Sequence, residues 1–580
     1  MSERALYSYH VFLFPFQWYF TGVEMKNKTL EERTCLDRLV NLFKGTKWIN
    51  KPYKTDTVLN YNEYNYFYDM ARKALFDEEK DKDKDKGKDK DKNEALLANL
   101  FYEIPADTYR YSFKVCTDGR NNVYKEYSLH IDSIILHLYS TGVGVLSFHL
   151  NNRLKHQSGS DDILNINQAG RRLYPPFFAM DSKFVGTQEQ FGINDFSAGL
   201  DITMKKELAR EFRVIADEGT EDFETYRRPE GFASNPFQLP AHLKFLLRGI
   251  PLTVDKTETE LPETRVFLSP LLDDRMFVIC WYGNDEIIKE LHANPTDHCK
   301  DKVGQLTYLQ SDWWYKFMFN DQKDNTCQNQ LMMRNLIRKH TYTRWSDYGT
   351  FYGVNRYSFV CLTAELPSLR GNNAAFIVNH MQTMYYKLCE LCLVQRACIL
   401  RFSDEVARIS AMEDEHVSEQ VSNLYKQYLR FVNRVYFREV TAQEQGIELY
   451  NMMQEHMQIE RNVKDLDQEI EELHSYITLV EDQKQSRNIE LLTIIGALFI
   501  LPTFIISFVG MIIYPPLLAE KQMNLQNPLW LLLPLALGPL IYLFIARRRK
   551  SKRSVLVFLY GLVILTLIFS IIYRFTIQCH

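Results

Sequence analysis

The chain has 580 residues, a net charge of −4 and a charged fraction of 24%. Its length allows two or three domains, and its balanced charge excludes an overall basic field of the kind that binds nucleic acid. The ten cysteines are spread from Cys35 to Cys579 without the regular spacing of a disulfide framework, which is typical of proteins in the reducing cytosol.

The first 371 residues alternate strand-like and helix-like segments, which predicts a cytosolic α/β domain built on a mixed sheet flanked by helices. The segment 143–150 shows the pattern most clearly, because its apolar residues alternate with Ser147 and His149 and therefore lie on the opposite face. Strands are predicted at 11–20, 109–116, 127–139, 143–150, 275–282 and 356–363, and helices at 30–43 and 311–319.

A charged tract interrupts this domain at 77–94, where the chain reads DEEKDKDKDKGKDKDKNE. A segment of alternating charges without apolar side chains cannot offset the entropy that ordering would cost. The tract is therefore predicted to be a solvated insertion or a linker.

Residues 372–490 have a different composition, with almost no glycine and no proline before Pro502. Apolar residues recur there in alternating steps of three and four, which predicts a long helical stalk with a heptad seam. The seam comprises Leu449, Met452, His456, Ile459, Val463, Leu466, Ile470, Leu473, Ile477 and Val480. A seam this narrow needs partners, either neighbouring subunits or the helices at 372–442. Since no stop signal follows, the helix is expected to continue beyond residue 490.

Three uncharged apolar runs occupy the last segment, 491–580, at 491–514, 528–546 and 554–573. Each has about 20 residues, and at about 1.5 Å per residue each is long enough to cross the roughly 30 Å hydrocarbon core of a bilayer. Their lengths and uncharged middles favour transmembrane helices over buried core helices.

The basic residues predict the orientation of these helices. Residues 547–553 read RRRKSKR, whereas the loop 515–527 carries only Lys521 against Glu520. By the positive-inside rule the basic cluster is cytoplasmic, and so is everything before residue 491. The start of the chain has no recognisable signal peptide. We therefore expect a multi-pass protein of the cell inner (plasma) membrane with a large cytoplasmic amino-terminal domain.

Small and hydroxyl-bearing residues of the first apolar run fall on one stripe. Gly496, Ile500, Thr503 and Ser507 follow the positions i, i+4, i+7 and i+11 of a helix. Such residues mark either close helix packing or a water-facing surface. The stalk favours a pore, because a bundle of identical stalk helices would continue as identical transmembrane helices around the same axis.

The segment LTIIGALFILPTFIISFVGMI at 492–512 resembles the first transmembrane helix of the CorA-type magnesium transporters. The resemblance covers about 372–553 and implies a homo-oligomeric, pentameric channel whose stalk helix enters the membrane and lines the pore. It implies a pore lined by Leu492, Gly496, Ile500, Thr503, Ser507 and Ile512. It also places Gly510, Met511 and Ile512 at the Gly-Met-Asn signature of that family.

The chain departs from this family in two ways. Ile512 replaces the signature asparagine, whose carbonyl would hold a hydrated Mg²⁺, and isoleucine offers no oxygen to an ion that dehydrates reluctantly. The chain also adds a third apolar run at 554–573. Both departures argue against selective magnesium uptake. No resident cofactor is expected, and Mg²⁺ or another divalent cation would be a permeant or regulatory ion.

Segments 141–150, 168–177 and 344–358 resemble the CorA-like membrane effectors encoded beside type III CRISPR systems. That resemblance implies a pore opened by a nucleotide second messenger, an AMP conjugate of S-adenosylmethionine. Such a ligand needs cationic groups for its phosphate and aromatic faces for adenine. The candidate ligand-binding residues are Arg171, Arg172, Tyr174, Arg344, Trp345 and Arg356, with Tyr357 beside the last. The alternative for any of these arginines is a structural ion pair.

No P-loop, dinucleotide-binding turn, HExxH motif or nucleophile elbow is recognisable, so no catalytic residues are predicted and the chain is not expected to be an enzyme. The expected partners are further copies of the chain, the lipid bilayer and a nucleotide-type messenger, without direct nucleic-acid binding. Three hypotheses remain: a gated CRISPR-associated channel, a divalent-cation transporter of the same fold, and a membrane-anchored enzyme or scaffold.

Overall fold

The computed structural model describes residues 6–26, 28–76, 96–104, 110–118, 123–173, 212–214, 239–254, 263–272, 275–292, 307–322, 325–365, 374–412 and 417–517. The chain divides into two units, Met1–His474 and Ser475–His580. The first unit thus extends past the boundary expected at residue 371, because helices that follow that residue pack on the sheet. The charged tract 77–94 lies outside the described residues.

The described residues form a mixed sheet of 13 strands in the first unit. These are β1 (Ser8–Thr21), β2 (Trp48–Asn50), β3 (Leu97–Tyr102), β4 (Arg110–Asp118), β5 (Val123–Tyr139), β6 (Val143–Asn152), β7 (Phe212–Val214), β8 (Leu252–Thr253), β9 (Arg265–Pro270), β10 (Phe277–Gly283), β11 (Thr341–Tyr342), β12 (Phe351–Val354) and β13 (Ser358–Thr363). The main path runs β11-β12-β13-β10-β1-β6-β5-β3-β2. Strand β1 is antiparallel to β6, β9 and β10, whereas β10 and β13 are parallel.

Fourteen α-helices are found among the described residues, and the last five follow the final strand in the chain. They are α1 (Leu30–Arg33), α2 (Leu36–Leu42), α3 (Val58–Tyr66), α4 (Asp69–Leu75), α5 (Ser160–Gly170), α6 (Ala241–Leu246), α7 (Asp285–His292), α8 (Asp312–Phe319), α9 (Gln330–His340), α10 (Ala374–Gln382), α11 (Met384–Ser410), α12 (Val417–Arg434), α13 (Glu444–Met457) and α14 (Ile459–Leu517).

The six strands predicted from the sequence are confirmed, with ends that differ by a few residues. The helix at 311–319 is also confirmed, and the Ser311 side chain caps it by accepting a hydrogen bond from the Trp314 N–H. The helix expected at 30–43 is instead two helices, because Cys35 adopts an extended conformation between α1 and α2.

Strand alternation gives the sheet two faces that contact different helices. On one face, His10 Nδ1 lies 2.8 Å from Asn167 Oδ1 of α5. On the other, the Ser147 hydroxyl lies 3.2 Å from the Tyr386 hydroxyl of α11. Helices therefore lie on both faces of the sheet, which confirms the α/β expectation.

A buried polar cluster joins α11 to the sheet. Glu390 is fully buried and accepts hydrogen bonds from His137 Nδ1 of β5 and, at 3.2 Å, from Lys387 Nζ. The Lys387 ammonium also lies 5.6 Å from the ring centroid of Phe76. Burial alone would raise the pKa of the Glu390 carboxyl, but His137 and Lys387 lower it to about 2. The carboxylate therefore stays ionised inside the protein, with Lys387 as its counter-ion.

The expected continuous seam helix is corrected by a break at Gln458. α13 ends at Met457, and Gln458 adopts a left-handed conformation with φ 57° while its N–H bonds to the Gln454 carbonyl. This arrangement terminates a helix. α14 then starts at Ile459 and runs without a break for 59 residues, so the expected continuation past residue 490 is confirmed.

The seam residues of α14 differ along its length. Val463 and Ile470 are buried within the first unit, where the Tyr428 hydroxyl of α12 donates to the Val463 carbonyl. α12 is therefore a partner of the first half of the seam, which was one of the two alternatives. Farther along, in the second unit, Ile477 and Val480 remain half-exposed.

The apolar run 491–514 lies in the helical backbone of α14, and many of its side chains fall outside those described. The runs at 528–546 and 554–573 lie wholly outside the described residues. Across the part of the chain that the structure describes, no helix meets the length and apolarity needed to cross a membrane.

Replacing Glu390 with Met is expected to destabilise the fold by about 3–5 kcal/mol, because it leaves the buried Lys387 ammonium without the carboxylate that accepts its hydrogen bond. The double change Glu390→Met, Lys387→Met removes both charges and should recover most of this loss. Chemical unfolding of the full chain, followed by tryptophan fluorescence, measures both. A single variant as stable as the wild type at pH 7 would contradict the ion pair.

The pH dependence supplies a second check on the same pair. The folded pKa of Glu390, about 2, lies below its ordinary value of 4.5. Its contribution to stability is therefore complete above pH 4.5 and is lost as the pH falls towards 2. The difference in stability between the wild type and the single Glu390→Met variant should therefore be full above pH 4.5 and shrink as the pH falls towards 2.

The exposed half of the seam is expected to hold subunits together. Asp at Ile470 would disrupt the fold of the subunit itself, so the test belongs at Ile477 and Val480. The double change Ile477→Asp, Val480→Asp should lower the oligomer mass in detergent, because it buries charge at the contact. Ser475→Asp, on the opposite side of the heptad, is the matched control. A wild-type monomer by native mass measurement would refute self-association.

Candidate functional site

Two of the predicted arginine groups meet where two parallel strands begin. β10 and β13 are parallel neighbours, so the residues that precede them lie side by side. Arg275 precedes β10, and Tyr357 precedes β13. The Val278 N–H donates to the Tyr357 carbonyl at 3.1 Å, and the Arg275 guanidinium lies 6.0 Å from the centroid of the Tyr357 ring.

The end of α5 brings Arg171 and Arg172 to the same place. The Met276 N–H donates to the Arg171 carbonyl at 2.6 Å. The backbones of Arg172 and Arg275 form an isolated antiparallel β-bridge. The side chains of Arg171 and Arg172 are buried. Arg171 and Arg172 therefore lie next to Arg275, whose guanidinium is over the Tyr357 ring.

α11 contributes one more arginine to this group. The Arg396 guanidinium lies 5.3 Å from the Tyr357 ring centroid, and its Nη1 donates to the Arg356 carbonyl at 3.2 Å. The Tyr357 N–H in turn donates to Asn355 Oδ1, which fixes the turn between β12 and β13. We name this group the Tyr357 cluster, and it comprises Arg171, Arg172, Arg275, Arg356, Arg396 and Tyr357.

The arginines of the Tyr357 cluster are held to different degrees. Arg171 donates from Nε and Nη2 to Gln168 Oε1 at 3.1 and 2.8 Å. Burial raises the pKa of the nearby Asp321 carboxyl, and the Arg171 charge opposes this rise. The Nε of Arg356 is buried without a hydrogen-bond partner. Arg356 thus retains an unused donor, and the next residue in the chain, Tyr357, supplies an aromatic ring; a guanidinium suits a phosphate, and an aromatic ring suits a planar base.

The third predicted group, Arg344 and Trp345, has a different setting. Arg344 Nη2 lies 2.6 Å from Glu444 and its Nη1 lies 2.8 Å from Glu448, both on α13. Trp345 Nε1 donates to Gln445 at 2.9 Å. Arg344 therefore makes the ion pairs that were the structural alternative for these arginines.

Arg344 nevertheless borders an open groove of about 700 Å³. The groove is lined by Thr341, Tyr342, Thr343, Arg344, Glu444, Ile447, Glu448 and Met452. Hydrogen bonds from Tyr342 and Arg344 lower the pKa of the Glu448 carboxyl. A ligand here would meet ionised carboxylates as well as one guanidinium, so an anion would have to displace Glu444 or Glu448.

The remaining predicted site residues lie on α14, apart from Tyr174. Tyr174 is outside the described residues. The predicted pore residues fall along the α14 backbone, where Leu492 and Ile500 are 71% and 69% exposed. Gly510, Met511 and Ile512 have helical backbone, and their side chains lie outside those described.

Sequence reasoning missed two members of the Tyr357 cluster, Arg275 and Arg396. A signal existed for Arg396, since it is the one charged residue of the segment 391–400 in α11. Arg275 offered only its place at the start of a predicted strand. Among the described residues, no group of three or more His, Cys, Asp and Glu side chains is arranged to hold a metal ion.

Comparison with known proteins gives a match in the carboxyl-terminal region. A family model described as CorA-like Mg²⁺ transporter protein matches residues 403–549. The CorA magnesium transporter of Methanocaldococcus jannaschii aligns with 49% of this chain and 95% of its own, at 12% identity and a TM-score of 0.20. No curated protein matches the chain. The region from the second half of α11 to the basic cluster is therefore CorA-like in sequence.

Proposed function

We propose that this protein is an oligomeric membrane channel of CorA-like architecture whose amino-terminal unit controls conduction. The observation that carries the proposal is the match of residues 403–549 to the CorA-like Mg²⁺ transporter family. That region contains α14 and the apolar run 528–546, and it ends within the basic cluster at 547–553. The apolar runs at 491–514, 528–546 and 554–573 would span the bilayer.

The helical backbone of α14 supports the proposed pore. Leu492, Gly496, Ile500, Thr503 and Ser507 share one stripe of a continuous helix. The Thr503 hydroxyl donates to the Phe499 carbonyl at 2.7 Å, so its donor is satisfied within the helix. Around a symmetry axis, identical stripes would form a channel wall with rings of Leu492, Gly496 and Ile500 followed by two hydroxyl-bearing rings of Thr503 and Ser507.

The Tyr357 cluster supports control by a nucleotide second messenger. An AMP conjugate of S-adenosylmethionine carries a phosphate linkage and adenine rings, which guanidinium groups and an aromatic face can bind. We place its phosphate against Arg356 and the Arg171–Arg172 pair. In this proposal the protein is a defence effector of type III CRISPR systems.

Gating requires the messenger to bind the open state more tightly than the closed state. A modest preference is enough in a symmetric assembly. A tenfold preference at each of five sites multiplies to about 10⁵, which exceeds the roughly 10⁴-fold difference that reverses a 1:99 population. Several identical sites therefore suffice without an exceptional affinity at any one of them.

The second candidate function is a divalent-cation transporter, which the description of the matched family favours. Ile512 counts against selectivity for Mg²⁺, because its side chain offers no oxygen to the water shell of the ion. The two candidates differ in whether a nucleotide ligand is required for ion flux.

Replacing Arg356 with Gln is expected to weaken binding of the messenger by at least about tenfold, because a charge-assisted contact contributes about 1.5–3 kcal/mol. Its Nε makes no hydrogen bond in the fold, so the melting temperature should stay near that of the wild type. Isothermal titration of the full chain in detergent measures the affinity.

The matched control for Arg356 is Arg344→Gln. Arg344 is already paired with Glu444 and Glu448, so its loss should leave messenger binding unchanged. If Arg344→Gln weakens messenger binding and Arg356→Gln leaves it unchanged, the groove at Arg344 is the binding site. If the wild type binds no adenylated messenger, the gated-channel proposal fails.

Ion flux separates the two candidate functions. In proteoliposomes, we expect the wild type to conduct only after messenger is added and to discriminate poorly between Mg²⁺ and monovalent cations. Ile512→Asn should raise the preference for Mg²⁺, because it restores a carbonyl at the signature position. Selective Mg²⁺ uptake by the wild type without messenger would support the transporter instead.

A further inference from the structure

Arg401 lies buried beneath the tight turn that joins β5 to β6. Its Nη1 donates to the Thr141 carbonyl, and its side chain is 4% exposed. Gly142 in this turn has φ 76°, and a Cβ there would lie 2.6 Å from Arg401 Cζ. The turn therefore needs glycine both for its backbone conformation and for space to admit the guanidinium.

Two further arginines approach the same place. Arg33 of α1 stacks over the Tyr19 ring at 4.4 Å from its centroid, and its Nη1 lies 3.8 Å from Glu405 Oε1. Arg408 of α11 donates to both Glu405 oxygens, at 3.0 and 2.5 Å. Both oxygens of Glu405 are thus already held by Arg408.

The charges of this group do not balance. Among the described residues, Glu405 is the one carboxylate that acts on Arg33 and Arg401, so three guanidiniums face one carboxylate. Burial lowers the pKa of Arg401 to about 10, with Glu405 opposing this change and Arg33 adding to it. Burial also lowers the pKa of Arg33. Uncompensated buried charge is costly, so the arrangement favours an additional anion.

The group is also accessible from outside. The side chains of Arg33 and Arg408 are 13% and 34% exposed, whereas Arg401 is buried. We propose that Arg33, Arg401 and Arg408 bind a phosphate monoester. A phosphate dianion matches the excess of two positive charges, and guanidinium groups match its oxygens geometrically. This site is separate from the Tyr357 cluster and does not rest on the proposed channel function.

The test uses the full chain in dodecyl maltoside, a detergent without phosphate. Inorganic phosphate should raise the melting temperature of the wild type more than chloride at equal ionic strength, because a ligand that binds the folded state stabilises it. Arg33→Gln and Arg408→Gln should each weaken phosphate binding by at least about tenfold. The matched control is Arg38→Gln, which removes an exposed arginine that stacks on Phe20 outside this group.

The source of the phosphate is distinguished by two further ligands. Glycerol 3-phosphate represents a soluble ester, and dioctanoyl phosphatidic acid represents a lipid headgroup. If the wild type binds one of these ligands and both Arg33→Gln and Arg408→Gln lose that binding, the site is supported. The ligand that binds then identifies the source of the phosphate. Phosphate that acts no better than chloride overturns the proposal, and so does phosphate binding that both variants retain. No ion flux or messenger enters these measurements, so their failure would leave the proposed channel function untouched.

Discussion

The burial of α11 against the central strands is the constraint on which the first unit depends. A helix buried on all sides is expected to be apolar, yet α11 carries Lys387 and Glu390 where it faces His137 of β5. Ionised groups in a dry interior persist only when they are paired and hydrogen-bonded. The three side chains therefore fix both the rotation of α11 and its position along the sheet.

The same helix sets the geometry of both candidate ligand sites. Arg396 and Arg401 follow Glu390 along α11, and each donates to a backbone carbonyl, that of Arg356 or that of Thr141. Backbone carbonyls in strand-connecting turns are rigid acceptors. The guanidinium groups are therefore held in place before any ligand arrives, which reduces the entropy lost on binding.

The helix break at Gln458 divides the predicted seam between two helices, α13 and α14. α13 ends there, and its residues Glu444 and Glu448 form ion pairs with Arg344. α14 begins afresh at Ile459 and continues to Leu517. A heptad repeat records which residues are apolar but contains no signal for a single left-handed residue, so the repeat alone suggested one helix.

Many local elements could be predicted from the amino-acid sequence. The sequence located six of the 13 strands. The helical spacing after residue 450 and the uncharged runs after residue 490 also followed from the residues alone. It also identified arginine and aromatic groups, but not which of them meet. That depended on the parallel pairing of β10 with β13, which places Arg275 beside Tyr357, and on the end of α5, which adds Arg171 and Arg172. Contacts between residues so distant in the chain depend on strand order and direction, which local patterns do not encode.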